Sequence, residues 1–296
     1  MQNLEESDSL PARLQRSVPA PCFKPYFEGR PSGMREHGMG FGCQMVAWEY
    51  RELIRNLTVV DLKNRYQNTS LGFFWSILSP FLLAFVLYFV FRNLFSQEEN
   101  FALNLIVGIM VWRFFSVGTI TSLFSIVSRP SLVTKVYIPR QILVLSSALC
   151  QLIASTLEFV TLIPITYYIL GYIPKTFWLY PVAHLFIFFP IYGVGLLLSS
   201  LFIFFRDLNQ IWDVLLNVLF YSSPIIYPIS IVPDYLITLY MFNPITRMVI
   251  IYRDLIVLGT LPSIGDLTIV VGFSAGVVLL GSYVFNRLQL RFAEEI

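Results

Sequence analysis

The sequence predicts an all-α integral membrane protein: six transmembrane helices, an N-terminal amphipathic interfacial helix, and short re-entrant outer helices between spans five and six. Three observations carry this. Of 296 residues, 56% are apolar and 13% are charged, where a soluble domain carries about 25% charged. A soluble fold of this length cannot hide that much apolar surface, and the mean hydropathy is +0.69. The charge is also uneven: residues 1–65 hold nine basic and eight acidic side chains, close to half of the total. Beyond them the chain repeats apolar runs of the length a helix needs, about 20 residues, to cross a hydrocarbon core of about 30 Å.

Residues 1–45 read as a polar, disordered cytoplasmic tail. They mix charges with breaks such as Pro19-Ala20-Pro21 and Gly38-Met39-Gly40-Phe41-Gly42, and they hold no apolar h-region of a secretory signal. The membrane domain is assigned to 46–296. It opens on an amphipathic helix from Met45 to Asn68, with Val46, Tyr50, Leu53, Leu57 and Val60 on one face and Glu52, Arg55, Asn56 and Lys63 on the other. Trp48 and Tyr50 suit a membrane–water interface, so this helix is expected to lie flat on the bilayer surface.

The six spans fall at 71–95, 101–127, 141–170, 177–204, 208–228 and 265–286. Between the last two, the segment 229–262 is apolar but interrupted by Pro233, Asp234, Asn243-Pro244, Arg247, Arg253 and Asp254. A continuous span there would bury arginines at about 2.5–3.5 kcal/mol each and break its own hydrogen bonds at the proline. Two short re-entrant or interfacial half-helices fit better. With six spans and the N-terminus inside, 15 Lys and Arg fall on the cytoplasmic side and four outside. Both termini are therefore expected in the cytoplasm.

Several functions are disfavoured. The net charge of +2 and the lack of a basic stripe give no nucleic-acid partner. His37 and His184 fall in no ligand pattern, and Cys22, Cys43 and Cys150 lie far apart, so no metal site is expected. No phosphate-cradling G-x-x-x-x-G-K-[S/T] occurs, nor a G-x-S-x-G elbow or a carboxylate cluster in the membrane body. Catalytic residues are expected to be none.

Two ionisable residues fall inside spans: Arg113 in the second and Glu158 in the third. Such residues face a bundle interior or a wet cavity, either as part of a pathway or gate or as an interhelical contact that fixes packing. Aromatics crowd the first two spans, Trp75 and Trp112 among them. Rings in a channel can offer sliding platforms to sugar faces; lipid contact and interfacial anchoring are their commoner uses.

The run Lys63-Asn64-Arg65-Tyr66-Gln67-Asn68-Thr69-Ser70-Leu71-Gly72-Phe73-Phe74-Trp75, followed by Pro80, resembles the R-Y-x-x-[S/T]-x-L-G-x-x-W-x(4)-P signature of ABC-2 type permeases that export polysaccharides: O-antigen, capsule and teichoic acid. In order there follow Gly108-Ile109-Met110-Val111-Trp112 with Phe114-Phe115-Ser116, Lys135-Val136-Tyr137-Ile138-Pro139-Arg140, Phe205-Arg206-Asp207-Leu208, Ser223-Pro224-Ile225-Ile226-Tyr227 and Asn243-Pro244. Each is similar to a motif of that family, and together they cover about 48–296. Two departures stand out. Val111 replaces the family's usual proline, and Arg113 stands where a neutral residue is common.

The resemblance implies a half-transporter without its own ATPase site or cofactor. Its partners would be a separate ATP-binding cassette subunit, which carries ATP and magnesium, a second copy of this chain, membrane lipid, and a polysaccharide or lipid-linked glycan. The setting would be the cytoplasmic (inner) membrane. Lys135, Tyr137, Pro139 and Arg140 in one loop, with Arg206 and Asp207 in another, are implied as ATPase-coupling residues. Arg65, Tyr66, Trp75, Trp112, Arg113, Glu158, Tyr227, Asn243 and Pro244 are the channel or gate candidates, and 229–262 resembles the family's outer gate helices. The alternatives are an ABC-2 permease for a drug, lipid or other small amphiphile, and a membrane-embedded transferase.

Overall fold

The computed structural model describes residues 50–67, 72–95, 100–135 and 138–292. The expected tail at 1–45, with His37, and the loop residue Tyr137 fall outside them. Every regular element among the described residues is helical.

Helix α1 (Arg51–Tyr66) carries Glu52 in its first turn and Lys63 and Arg65 in its last, the arrangement that complements a helix dipole. It packs lengthwise along α5 (Gln141–Val160). The Thr58 hydroxyl donates to its own Ile54 carbonyl at 2.8 Å and reaches the Ser146 carbonyl at 3.5 Å. Further along both helices, Arg65 donates to Gln151. The two helices therefore advance in the same direction. One expectation changes here. Its buried residues are Ile54 and Thr58, whereas Val60, expected on the apolar face, is exposed. Glu52, Arg55, Asn56 and Lys63 are exposed, as a polar face should be, while Leu53 and Leu57 are half-buried and Leu57 packs against the core.

The first span is α2 (Phe74–Phe91). It buries only Pro80 and Ala84, against α3 (Phe101–Phe124), and leaves Phe74, Trp75, Phe85 and Phe89 exposed. Pro80 deletes one helical hydrogen bond, a loss that membrane helices tolerate. Helix α3 is the centre of the molecule, packed on α2, α5, α7 (Tyr180–Phe202) and α10 (Pro244–Arg253). A short α4 (Pro130–Lys135) follows it. The third span bends at Thr161, between α5 and α6 (Leu162–Leu170), where the Thr161 hydroxyl donates to the Glu158 carbonyl at 2.6 Å and Pro164 follows. A proline there crowds the carbonyl four residues back, at Val160, and interrupts the ladder.

Helix α11 (Ile264–Leu288) lies against α7 along Val270, Ser274, Gly281 and Phe285, one stripe at helical spacing. Their closest approach is between glycines. A Cβ on Gly281 would stand 2.4 Å from the Gly193 carbonyl oxygen, and one on Gly193 would stand 2.7 Å from the Val278 amide nitrogen. Small residues at such crossings let backbones touch, which is how helices associate without a hydrophobic driving force.

Five helical segments are long and apolar enough to cross a membrane: Phe74–Phe91, Phe101–Phe124, Gln141–Leu170, Lys175–Phe202 and Ile264–Arg291. The expected span 208–228 contains a helix of 14 residues, α8 (Leu208–Tyr221). At 1.5 Å per residue it rises about 21 Å, short of the core. Ser222-Ser223-Pro224 ends it. The interrupted segment behaves as expected, forming α9 (Asp234–Phe242) and α10 with the break at Asn243-Pro244.

Candidate functional site: a polar track and a broken helical segment

The candidate residues collect in three places. The first is inside the membrane body, where α1, α2, α3 and α5 meet. Arg113 sits at the midpoint of α3 and Glu158 on α5. The Arg113 Nη2 lies 4.0 Å from the Glu158 Oε1, so the two intramembrane charges face each other. Arg113 Nη1 donates to the Ser79 hydroxyl of α2 at 3.1 Å. Glu158 is buried, with its Oε1 unbonded; the Arg113 Nε is buried and unbonded as well. Below them Arg65 ends α1, held by Gln151 and lying 5.8 Å from the Tyr66 ring centroid. Arg65 lies within electrostatic reach of both Arg113 and Glu158. Tyr66 accepts from the Ser76 hydroxyl at 3.4 Å and meets Phe73 edge-on at 5.3 Å. Trp75, in the first turn of α2, is exposed. What the arrangement offers is positive charge and hydrogen-bond donors at membrane depth.

Trp112, next to Arg113, turns the other way. It packs on Phe220 of α8 at 5.4 Å between ring centroids. About two turns on, Trp212 of α8 donates to the Thr119 hydroxyl at 3.1 Å. These contacts tie α8 to α3, while Val214, Val218 and Tyr221 remain exposed.

The second place is the outer segment. Asn243 is extended (φ −69°, ψ 117°), as a residue before proline should be. Its side chain accepts from the Ile245 amide at 3.0 Å and donates to the Ser223 hydroxyl at 3.0 Å. One residue thus ends α9, caps α10 and fastens both to the turn after α8. Pro244 takes the first helical position, where a missing N–H costs nothing. The Tyr227 hydroxyl donates to the Tyr221 carbonyl at 2.9 Å and pairs with the Tyr240 hydroxyl at 3.0 Å.

Helix α10 is the firmly held half. Arg247 pairs with Asp266 of α11 and donates from Nε to the Met241 carbonyl at 2.7 Å. Arg253 donates to the Ile225 carbonyl at 3.0 Å and the Asn104 carbonyl at 3.3 Å. Tyr252 bonds to His184, which stacks on Phe114 at 4.9 Å. Helix α9 buries no residue. Burial first, then the nearby Asp266 charge, push the Asp254 carboxyl up to about 6.

The third place is the opposite end of the bundle. Phe205, Arg206 and Asp207 form an exposed corner between α7 and α8, and the Arg206 guanidinium lies over the Phe202 ring at 5.6 Å. Pro139 and Arg140 precede α5. Arg140 donates to the Gln289 carbonyl at the end of α11 and lies 5.8 Å from the Phe292 ring centroid. Cations at a helix C-terminus satisfy its orphan carbonyls. Arg140 is therefore engaged within the chain, while Arg206 stays accessible. Lys135 closes α4.

Sequence reasoning singled out Arg65, Arg113 and Glu158 but not Gln151, Ser79, Asp61, Arg129 or Asp266. Arg129 pairs with Asp61 and binds the start of the loop after α3 to α1. Gln151 was legible as an amide within an apolar span. Asp266 was legible as the third residue after Ser263, a capping pattern: the Ser263 hydroxyl accepts from the Asp266 amide at 3.1 Å. Among the described residues no group of three or more His, Cys, Asp or Glu could hold a metal ion.

Comparison with known proteins agrees in one direction. Residues 52–257 match the model of the ABC-2 type transporter family. An O-antigen export system permease protein RfbA from Klebsiella pneumoniae is 31% identical over 251 residues, covering 82% of this chain and 94% of the relative. A protein of the same description from Myxococcus xanthus is 29% identical over 258 residues, covering 84% and 97%. With its apolar spans, its broken outer segment and this match over most of its length, the chain is a multi-pass membrane protein that belongs to the ABC-2 type transporter family.

Proposed function

We propose that this chain is the permease subunit of an exporter that moves a cell-surface polysaccharide, carried on a lipid, across the cytoplasmic membrane. The observation that carries the reading is the similarity to O-antigen export permeases, which runs through nearly their whole length. The chain works without an ATPase site of its own. ATP and magnesium act on a separate ATP-binding cassette subunit at the cytoplasmic side, where both termini also lie. The arrangement of apolar surface supports a second copy as partner. The first span and α8 expose long apolar faces, including Trp75, Phe85, Phe89, Val214 and Val218. Two copies meeting there would enclose a pathway between them, with Arg65, Tyr66, Trp75, Trp112, Arg113 and Glu158 near its inner part. Tyr227, Asn243 and Pro244 belong to the outer gate.

Coupling to the ATPase is assigned to Lys135, Tyr137, Pro139 and Arg140 in one loop and to Arg206 and Asp207 in the other. The exposed 205–207 corner offers the cleaner test, because reversing Arg140 would also release the end of α11. Tagged chain captured from native membranes is expected to bring down an ATP-binding cassette ATPase, and Arg206→Glu is expected to cut that yield at least fivefold without lowering the amount of permease. Unchanged capture and unchanged surface glycan in Arg206→Glu would remove the docking assignment.

A further inference from the structure

The Arg113–Glu158 group is charged beyond its own needs. Arg113 presents five N–H donors, of which the hydroxyl of Ser79 accepts one. Its distance to Glu158, 4.0 Å, is too long for a hydrogen bond, and both the Arg113 Nε and the Glu158 Oε1 are buried without a hydrogen-bond partner. Arg65 adds a second cation within electrostatic reach. Two cations and one carboxylate leave a net positive charge around Arg113 and Glu158, which lie within spanning helices. That is costly to hold, and an apolar pair of similar volume would pack as well. A counter-charge from outside the chain would resolve the imbalance.

The geometry also has a front and a back. The Arg113 side chain keeps 22% exposure while that of Glu158 keeps 3%. An approaching anion would meet the guanidinium first, with the carboxylate behind it. A guanidinium fork matches phosphate oxygens two at a time, which makes phosphate the best-fitting anion. Depth selects its source. Arg113 lies about 18 Å along α3 from either helix end at 1.5 Å per residue, well inside a core of about 30 Å. A free phosphate has no reason to enter there; one attached to a lipid tail does.

We propose that Arg113, with Arg65 below it and Glu158 behind it, forms a docking site within the membrane for the phosphate-bearing headgroup of a lipid-linked substrate. This rests on the export reading and names the part of the substrate that the polar track holds. Glu158 tempers the site: it keeps Arg113 partly neutralised, so that the headgroup binds and leaves.

The test is binding of undecaprenyl diphosphate to the purified full-length permease in nanodiscs, against undecaprenol, inorganic pyrophosphate and phosphatidylglycerol. The diphosphate lipid is expected to bind at least tenfold more tightly than each of the other three. Arg113→Gln should weaken it at least tenfold. Glu158→Gln should tighten it severalfold, because removing the carboxylate frees the guanidinium. Opposite signs for the two variants separate this site from a packing ion pair, whose loss from either side would act alike. If Arg113→Gln does not fold, Arg113→Lys keeps the charge and loses the fork, and is expected to bind more weakly than wild type. Equal weakening by Arg113→Gln and Glu158→Gln would overturn the proposal, as would phosphatidylglycerol or pyrophosphate binding as tightly as the diphosphate lipid. A negative result here would leave export standing, since export is read independently from surface glycan.

Discussion

Gly281→Ala is expected to push α11 off α7 and cost about 3 kcal/mol or more, at or above the upper end of what overpacking a core takes. The added Cβ would stand 2.4 Å from the Gly193 carbonyl oxygen. A backbone oxygen cannot rotate away as a side chain can, so one helix must move. The same crossing seen from the other side is also too close for a side chain, since a Cβ on Gly193 would meet the Val278 amide nitrogen at 2.7 Å and the Val277 carbonyl carbon at 2.8 Å. Gly276 is the internal control. It lies on the same helix, and a Cβ there meets nothing within 4 Å. Gly276→Ala should therefore be neutral or gain about 1 kcal/mol from helix propensity. Thermal unfolding of the two purified variants checks this. Equal midpoints would mean that the α7–α11 crossing is not as close as described.

The second large effect is expected at the outer segment. Asp266→Ala should destabilise the protein by about 3–5 kcal/mol, the usual result of removing one partner from a buried ion pair. The Asp266 side chain is 7% exposed and pairs with Arg247. Its other oxygen accepts from the Ser263 hydroxyl at 2.7 Å, so its loss also loosens the start of α11. The cost arises from the charge left behind. Combining Asp266→Leu with Arg247→Met should recover most of the stability that Asp266→Ala loses. In the single variant, α10 loses its tie to α11, so cysteines placed along 245–252 should become reactive to a water-soluble thiol reagent. A double variant no more stable than the single one would show that the pair is not the tie between these helices.

The spans at 101–127, 141–170, 177–204 and 265–286 were legible because hydropathy measures what a bilayer selects, and these runs become long helices. The 208–228 run shows where that stops. It is less apolar than the others, with Asn209, Gln210, Asp213 and Asn217 in its helix, and Ser222-Ser223-Pro224 ends that helix at Tyr221. The Asn243-Pro244 break was legible for the opposite reason, because its cause is local: proline forbids the helix, and asparagine caps the next one. On α1 the amphipathic pattern was legible in its exposed Glu52, Arg55, Asn56 and Lys63, whereas the bonds of Thr58 to Ser146 and of Arg65 to Gln151 depend on how α1 packs on α5.

Of the candidate site, the residue types were legible and the partnerships were not. Arg113 and Glu158 each stood out as a charge in an apolar run. Their mutual distance depends on how α3 and α5 pack, which no spacing encodes. Arg140 matches a loop motif, yet its guanidinium reaches a carbonyl at the far end of the chain. Asp61 and Arg129 lie 68 positions apart, and their pairing depends on how α1 packs beside the start of the loop after α3.

The export reading is tested most directly by removing the chain from its native host and measuring polysaccharide on the cell surface. The expected result is loss of surface glycan with accumulation of its lipid-linked form on the cytoplasmic side, both reversed by the wild-type chain. Normal surface glycan in the deletion strain would contradict the account.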